Sequence, residues 1–176
     1  MANQKLTNKT ALEEQVGSGD LLMVVDVNDT TGSSSGTSKK MDFKYLMQTD
    51  KISVTNAQII DLHNNERVLV GALSGYMITV YNVTMLCTYA SSTESSSNNL
   101  YLGYDDSTDT AYWKYERDMM NGKTTDQSYC IQAYPPAYGS CTTSILNKPF
   151  VMWSNAAFNG GWSAEVYVTY AYTKVL

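Results

Sequence analysis

Apolar positions along the chain follow two rhythms, and neither is that of a long helix. Leu21-Leu22-Met23-Val24-Val25-Asp26-Val27 is a compact run of apolar and β-branched residues that predicts a strand. The stretch Asn28 to Ser38, with Gly32-Ser33-Ser34-Ser35-Gly36 at its centre, has no side chain able to build a core and predicts a loop. Lys39-Lys40-Met41 is a candidate return strand, and Asp42-Phe43-Lys44-Tyr45-Leu46-Met47 has the spacing of one short helix capped by Asp42. From Lys51 onward the pattern is β. Ile52-Ser53-Val54 alternates, Asn56 to Leu62 reads as a helical turn, and Arg67-Val68-Leu69-Val70 as a strand. Leu73 to Tyr76 is a turn, and Met77 to Tyr89 is long enough for one bent strand or two. Ser91 to Asn99 is a polar loop of low complexity. Further strands are predicted at Leu100 to Tyr104, Thr110 to Tyr115 and Ala164 to Val175, the last alternating for a dozen residues.

Short strands at regular spacing, punctuated by Gly, Ser and Asn, predict a mainly β chain folded as an antiparallel, jelly-roll-like β-sandwich. The texture changes near residue 50. Residues 1–50 hold one good strand and little else that could fill a core, so they read as a small, partly extended segment that needs a partner. Residues 51–176 read as the sandwich domain. Neither heptads, βαβ alternation nor internal repeats are visible.

The chain has 176 residues, a net charge of −5 and only 16% charged residues, which argues against a nucleic-acid footprint. Its longest uncharged apolar run is five residues, far below the roughly 20 of a membrane helix, and MANQKLTNKT has no apolar signal-peptide core. Cys87, Cys130 and Cys141 are odd in number and widely spaced. Cys87 fits a core position, and Cys130 and Cys141 are expected to stay unbridged.

Candidate chemistry is sparse. His63 is the single histidine and lies in a polar turn, so a catalytic triad has no base. Glu13-Glu14 and Asp105-Asp106 with Asp109 look like solvated acidic faces. Asp105, Ser107, Asp109 and Glu116 match an EF-hand count at positions 1, 3, 5 and 12. Thr110 stands where that loop needs glycine, however, and no helices flank it. No enzyme activity, cofactor or metal is expected. The 14 tyrosines are the compositional signal, beside 18 Ser and 19 Thr. Tyr101, Tyr104, Tyr112, Tyr115, Tyr167, Tyr170 and Tyr172 sit on or beside strands. Their half-apolar rings suit an amphipathic sheet surface, a subunit interface or a glycan-binding face alike.

Two segments carry a resemblance. Asp20 to Thr31, followed by Gly36-Thr37-Ser38-Lys39-Lys40-Met41, resembles a short N-terminal module of tailed-bacteriophage fibre and capsid-decorating proteins, whose pattern runs roughly D-L-hydrophobic-V-V-D-V-S-D-T-T then G-T-S-K-K-I. Ser53-Val54-Thr55-Asn56-Ala57-Gln58-Ile59-Ile60-Asp61-Leu62 resembles the opening of phage virion β-sandwiches, and Gly160-Gly161 before Val166 to Tyr170 resembles their close. The P-A-P-G turn frequent in such domains is Gly71-Ala72-Leu73-Ser74-Gly75 here. The resemblance implies a structural protein at the virion surface, a head fibre or capsid-decorating protein, made in the bacterial host cytoplasm. A tail-associated, glycan-binding receptor module is the alternative, and a depolymerase fragment would lack its long central domain. It also implies a homo-oligomer, with a trimer favoured, docked on the major capsid protein or another virion protein, and a host-surface glycan as a candidate ligand. The anchoring side chains would be Leu21, Leu22, Val24, Val25, Val27, Lys39 and Lys40. Alternation along the last strand sends Val166, Val168, Tyr170 and Tyr172 to the core and Glu165, Tyr167, Thr169, Ala171 and Thr173 outward. Tyr167 and Thr169 are therefore the expected oligomer contact.

Overall fold

The computed structural model describes residues 21–42, 46–104, 112–131 and 145–174, apart from the side chains of 21, 42 and 112–117. The chain forms two compact units, Met1–Leu46 and Met47–Leu176. In the first, β1 (Leu21–Asp26) and β2 (Thr37–Asp42) make an antiparallel two-stranded ribbon. Leu21 lies opposite Asp42 and Asp26 opposite Thr37. Asp42 therefore closes β2, where the sequence pattern suggested a helix cap; a cross-strand partner decides over a weak local propensity. The remainder of that expected helix, residues 43–45, lies outside the described residues.

Among the described residues the second unit holds eight strands and one short helix. Their ranges are β3 (Gln48–Val54), α1 (Asn56–Asp61), β4 (Arg67–Val70), β5 (Tyr76–Tyr89) and β6 (Asn99–Gly103), then β7 (Tyr112–Arg117), β8 (Gln127–Ile131), β9 (Phe150–Ser154) and β10 (Trp162–Lys174). β3 starts before the change of texture at residue 50 and runs through it. One sheet has the order β3-β10-β5-β8 and the other β4-β9-β6-β7, with neighbouring strands antiparallel in both. Successive strands switch sheets at every step except β6 to β7. This is the strand order of a jelly roll: two four-stranded sheets wound from one folded ribbon. The expected antiparallel sandwich is thus the observed architecture.

The core fills the space between the sheets. β5 contributes Ile78, Val80, Val83, Met85 and Cys87; β6 contributes Leu100 and Leu102; β9 gives Phe150 and Met152; and β10 gives Trp162, Ala164, Val166, Val168 and Tyr170. Burial alternates along β10 as alternation in the sequence requires. In β5 the phase slips: Val80 and Val83 are both buried with two residues between them, because Tyr170 pairs with Val80 while Thr169 pairs with Asn82. Tyr81 is the extra residue of this β-bulge. Burial pushes the Cys87 thiol up to about 12, so it is an inert core residue. Cys130 lies exposed on β8 with a free thiol, and Cys141 lies outside the described residues.

Tyr104 and Tyr170 are buried in the core, whereas Tyr172, expected there too, is half-buried and packs against it near the end of the strand; all three have anchored hydroxyls. Tyr104 donates to the Ile78 carbonyl at 2.8 Å, Tyr170 to Asp50 Oδ2 at 2.8 Å and Tyr172 to the Gly71 carbonyl at 2.8 Å. Tyr170 and Tyr172 meet edge to face at 5.5 Å, and Tyr104 meets Phe150 at 5.4 Å. The motif Val54 to Leu62 has a structural reason. Val54, Ile59 and Leu62 enter the core, while Thr55 and Gln58 form a reciprocal capping box at the start of α1. Asn56 then ties α1 to the carbonyls of Gly160 and Trp162 at 2.8 and 2.9 Å.

A buried carboxylate locks the loops at one end. Glu94, only 1% exposed, accepts hydrogen bonds from the backbone amides of Ser96 (2.9 Å), Asn159 (3.0 Å) and Gly160 (2.8 Å) and from the Trp162 indole (3.2 Å). Burial pushes its pKa up, but the bonds from Ser96, Gly160 and Trp162 outweigh that and hold it below the ordinary carboxylate value. Gly160 and Gly161 permit the approach. A Cβ on Gly160 would come within 2.9 Å of the Glu94 backbone, and one on Gly161 would strike the Ser91 hydroxyl. Because the folded pKa is depressed, the stabilisation is complete above the unfolded carboxylate's pKa and is lost as pH falls through the folded value. Glu94→Gln, which turns an amide NH₂ toward this cluster of donors, should cost about 2–3 kcal/mol and lower Tm by roughly 5–10 °C at pH 7. The gap to the parent should narrow on acidification below about pH 4; calorimetry across pH checks both.

Candidate functional site

Two surfaces gather the residues singled out by the sequence. The first is the ribbon of β1 and β2. Its Ser-rich loop is closed locally: Asn28 N donates to Asp26 Oδ1 at 3.1 Å, Thr31 N to Asp29 Oδ1 at 3.0 Å and Gly32 N to Thr37 Oγ1 at 3.0 Å. Lys39 reaches back across the hairpin to Asp26 (3.0 Å) and Asp29 (2.9 Å). Gly36 has φ +111°, and a Cβ there would lie 2.7 Å from the Asp26 carbonyl oxygen, so only glycine fits. The Gly36-Thr37-Ser38-Lys39 element and the two aspartates are thus one device that fixes the loop.

That device divides the expected anchor. Val24 pairs with Lys39 and Leu22 with Met41 on one face; Met23 pairs with Lys40 and Val25 with Ser38 on the other. Met23 is 73% exposed, Val25 57%, and Val27, just past the strand, 69%. Lys39 is spent within the hairpin, whereas Lys40 stands exposed beside Met23. Leu21 contributes register, as the partner of Asp42. Pattern reading placed Asp26 and Asp29 in the motif without a role and left Met23, the most exposed described apolar side chain of β1, out of the anchor.

The second surface is the outer face of the β3-β10-β5-β8 sheet. Tyr167 and Thr169 are both there, half-buried among their neighbours. Tyr167 lies between Lys51 on β3 and Thr84 on β5, and donates to Glu165 Oε2 at 3.2 Å. Glu165 pairs with Lys51 at 2.6 Å, and the Lys51 ammonium sits 6.0 Å from the Tyr167 ring centre. The pairing lowers the Glu165 pKa and raises that of Lys51. The hydroxyls of Thr169 and Thr49 are 2.9 Å apart, and those of Thr173 and Thr79 are 2.7 Å apart. Two apolar side chains break this polar ladder: Tyr81, thrown out by the bulge and 51% exposed, and Leu86, opposite Glu165 and 39% exposed. The signal that could have found Tyr81 is the spacing of Val80 and Val83, a slip of one residue in an alternating strand.

The other candidates disperse. His63 is exposed after α1, its Nδ1 3.1 Å from the Ile60 carbonyl oxygen, and Glu116 lies on β7. Glu13, Glu14, Asp105, Asp106 and Asp109 lie outside the described residues. Among the described residues no three His, Cys, Asp or Glu side chains group as metal ligands, and no helix is long and apolar enough to cross a membrane.

No protein-family model and no curated protein matches the chain. Among solved structures it is similar to a chain of the cyanophage Pam1 capsid asymmetric unit. That match has 12% identity and a TM-score of 0.36, covering 97% of this chain and 98% of the other. It is also similar to a chain of a marine algae virus of the order Picornavirales. Here identity is 8% and the TM-score 0.33, over 100% of this chain and 87% of the other.

The hairpin lock has a measurable titration. Hydrogen bonds from Thr31 and then Lys39 hold the Asp29 carboxyl down at about 2. Its contribution to loop order is therefore present above the ordinary carboxylate pKa and lost as pH falls toward 2. Carboxyl-carbon NMR should find Asp29 titrating near 2 in the parent and higher in Lys39→Ala, with faster amide exchange at Thr31 and Gly32. Unchanged titration in the variant would refute the lock.

Proposed function

We propose that the chain is a structural virion protein of a tailed phage, a head fibre or capsid-decorating protein. In this reading the N-terminal unit docks on the major capsid protein or another virion protein and the jelly roll is held outward. The supporting observation is the ribbon's exposed apolar stripe, Met23, Val25 and Val27, with Lys40 beside it. An isolated two-stranded ribbon is marginal in water, and apolar side chains left this open are covered when a partner lies over them. The resemblance of the same ribbon to phage anchoring modules supports the reading, and its hairpin lock accounts for the residues that carry that resemblance. The sandwich assembles into a homo-oligomer, a trimer by the same resemblance, through the outer face that bears Tyr167 and Thr169. Tyr81 and Leu86 enlarge that contact. Rings such as Tyr81 and Tyr167 bury apolar area while their hydroxyls stay bonded at the rim.

A chain beginning at Met47 keeps all eight sandwich strands. It should melt as a folded domain and fail to bind phage particles that lack the protein, whereas the full chain binds. Wild-type binding by the shortened chain removes the anchor. The Met23→Asp/Val25→Asp double variant should bind particles at least about tenfold more weakly with the sandwich intact, since two apolar contacts of this size are worth more than 1.4 kcal/mol.

In the full chain, Tyr167→Glu should shift light scattering toward the monomer, an effect repeated at every interface of a closed ring. Tyr170→Glu buries a charge in the core and should cost more than about 3 kcal/mol, unfolding the sandwich by circular dichroism. An oligomeric Tyr167→Glu protein would remove this face from the assembly.

A further inference from the structure

We infer that Asn159 is a self-modifying site, at which the folded chain converts its own asparagine side chain to a carboxylate with Glu94 as the base. Two Asn-Gly pairs occur in the sequence, Asn121-Gly122 and Asn159-Gly160. At such a pair the glycine amide nitrogen can attack the asparagine side-chain carbonyl carbon, and glycine, lacking a Cβ, leaves that approach open. The fold treats the two pairs differently.

At Asn159 both reacting groups are held by one dipeptide, Glu94-Ser95. The Gly160 N–H, on the nucleophile, donates to Glu94 Oε2 at 2.8 Å. Asn159 Oδ1, where negative charge collects, accepts from the Ser95 N–H at 3.0 Å. The departing amide, Nδ2, donates to Ser95 Oγ at 3.1 Å. These are the parts an amide displacement requires: a base on the nucleophile's proton, a donor on the developing oxyanion and a held leaving group. Glu94 is buried, whereas Asn159 is exposed, which gives water a way in and ammonia a way out. At Asn121 the base is missing. The Gly122 N–H donates at 2.9 Å to the Glu94 carbonyl, a peptide oxygen that takes no proton, and Asn121 Nδ2 donates to Ser97 Oγ at 3.1 Å.

The step balances without a cofactor. Glu94 takes the Gly160 amide proton as that nitrogen bonds to Asn159 Cγ. The Cγ–Nδ2 bond then breaks, and the same proton leaves with Nδ2 as ammonia. Water opens the resulting five-membered imide at either carbonyl, leaving aspartate or isoaspartate and an unchanged Glu94. Either product loosens the clamp. Aspartate sets a second carboxylate beside Glu94 and removes the donor to Ser95, while isoaspartate adds a methylene to the backbone and draws the Gly160 N–H off its acceptor. The entry to β10 therefore weakens as the protein ages.

The test incubates the full chain near neutral pH, folded and in urea, and follows both Asn-Gly peptides by mass spectrometry, which reads the exchange of NH for O. A positioned base is worth about 10²–10⁴-fold. Folded Asn159 should therefore convert at least about tenfold faster than Asn121 in the same molecule, and at least about tenfold faster than Asn159 in urea. Glu94→Gln should bring the folded rate down to the urea rate, and Asn159→Asp should melt below the parent. An Asn159 that converts no faster folded than in urea, or no faster than Asn121, would overturn the inference, as would an unchanged rate in folded Glu94→Gln protein. The comparisons with urea and with Asn121 need no variant, so they decide the matter even where Glu94→Gln fails to fold.

Discussion

The pairing of β10 with β5, from Trp162 opposite Tyr89 to Lys174 opposite Tyr76, is the constraint on which the second unit is built. β10 also carries β3 on its other edge, so one strand at the end of the chain holds residues 48–54 and 76–89 in a single sheet. These contacts are separated by up to 122 residues, as between Gln48 and Tyr170, and the loop-closure entropy of each falls due before any burial compensates it. What offsets that cost is the inward row of β10, with Val166 and Val168 wholly buried against the second sheet. The bulge at Tyr81 shifts the pairing by one residue, so that Val80 and Val83 both face the core, and it has a second effect. It turns a tyrosine out of the sheet, beside Tyr167 and Thr169.

At the end of the sandwich where β10 begins, order depends on a single charge. Glu94 collects amides from two loops and the indole of Trp162, the first residue of β10, so the start of the central strand is set by a polar cluster. The glycines before β10 let the backbones meet there, and Asn56 extends the same stitching to α1. The turn after α1 then forms one wall of a small pocket whose other wall is the end of β9. Packing, polar clamp and pocket are neighbours because α1, β9 and the β10 entry share one corner.

Alternation made β10, β3 and the two halves of β5 legible, since one side of each faces a core and the other faces solvent. α1 was legible only as a helical turn or short connector over Asn56 to Leu62, since its capping box depends on Thr55 and Gln58 meeting in space. β9 was not: all five residues, Phe150 to Ser154, are buried, and a strand covered on both faces has no period of two to read. β8 was missed for the opposite reason, as Gln127-Ser128-Tyr129-Cys130-Ile131 has one fully buried side chain and polar neighbours. Glu94 sat unnoticed in a serine-rich loop because its partners, Asn159, Gly160 and Trp162, are more than sixty residues away in sequence. In the ribbon, the apolar run and the glycine–lysine element could be read as a unit. That Lys39 serves the loop rather than a partner followed only from the geometry of Asp26 and Asp29.

The two units divide the work that the proposal assigns them. A ribbon fixed by ion pairs and a positive-φ glycine leaves Met23, Val25 and Val27 exposed, while the second unit has a hydrophobic core of its own. Cryo-electron microscopy of intact phage particles carrying the full chain tests that division most directly. The account predicts density for the protein on the head, with Met23, Val25 and Val27 covered by a capsid subunit. A ribbon lying free in solvent on the particle, or density for the protein only at the tail, would contradict it.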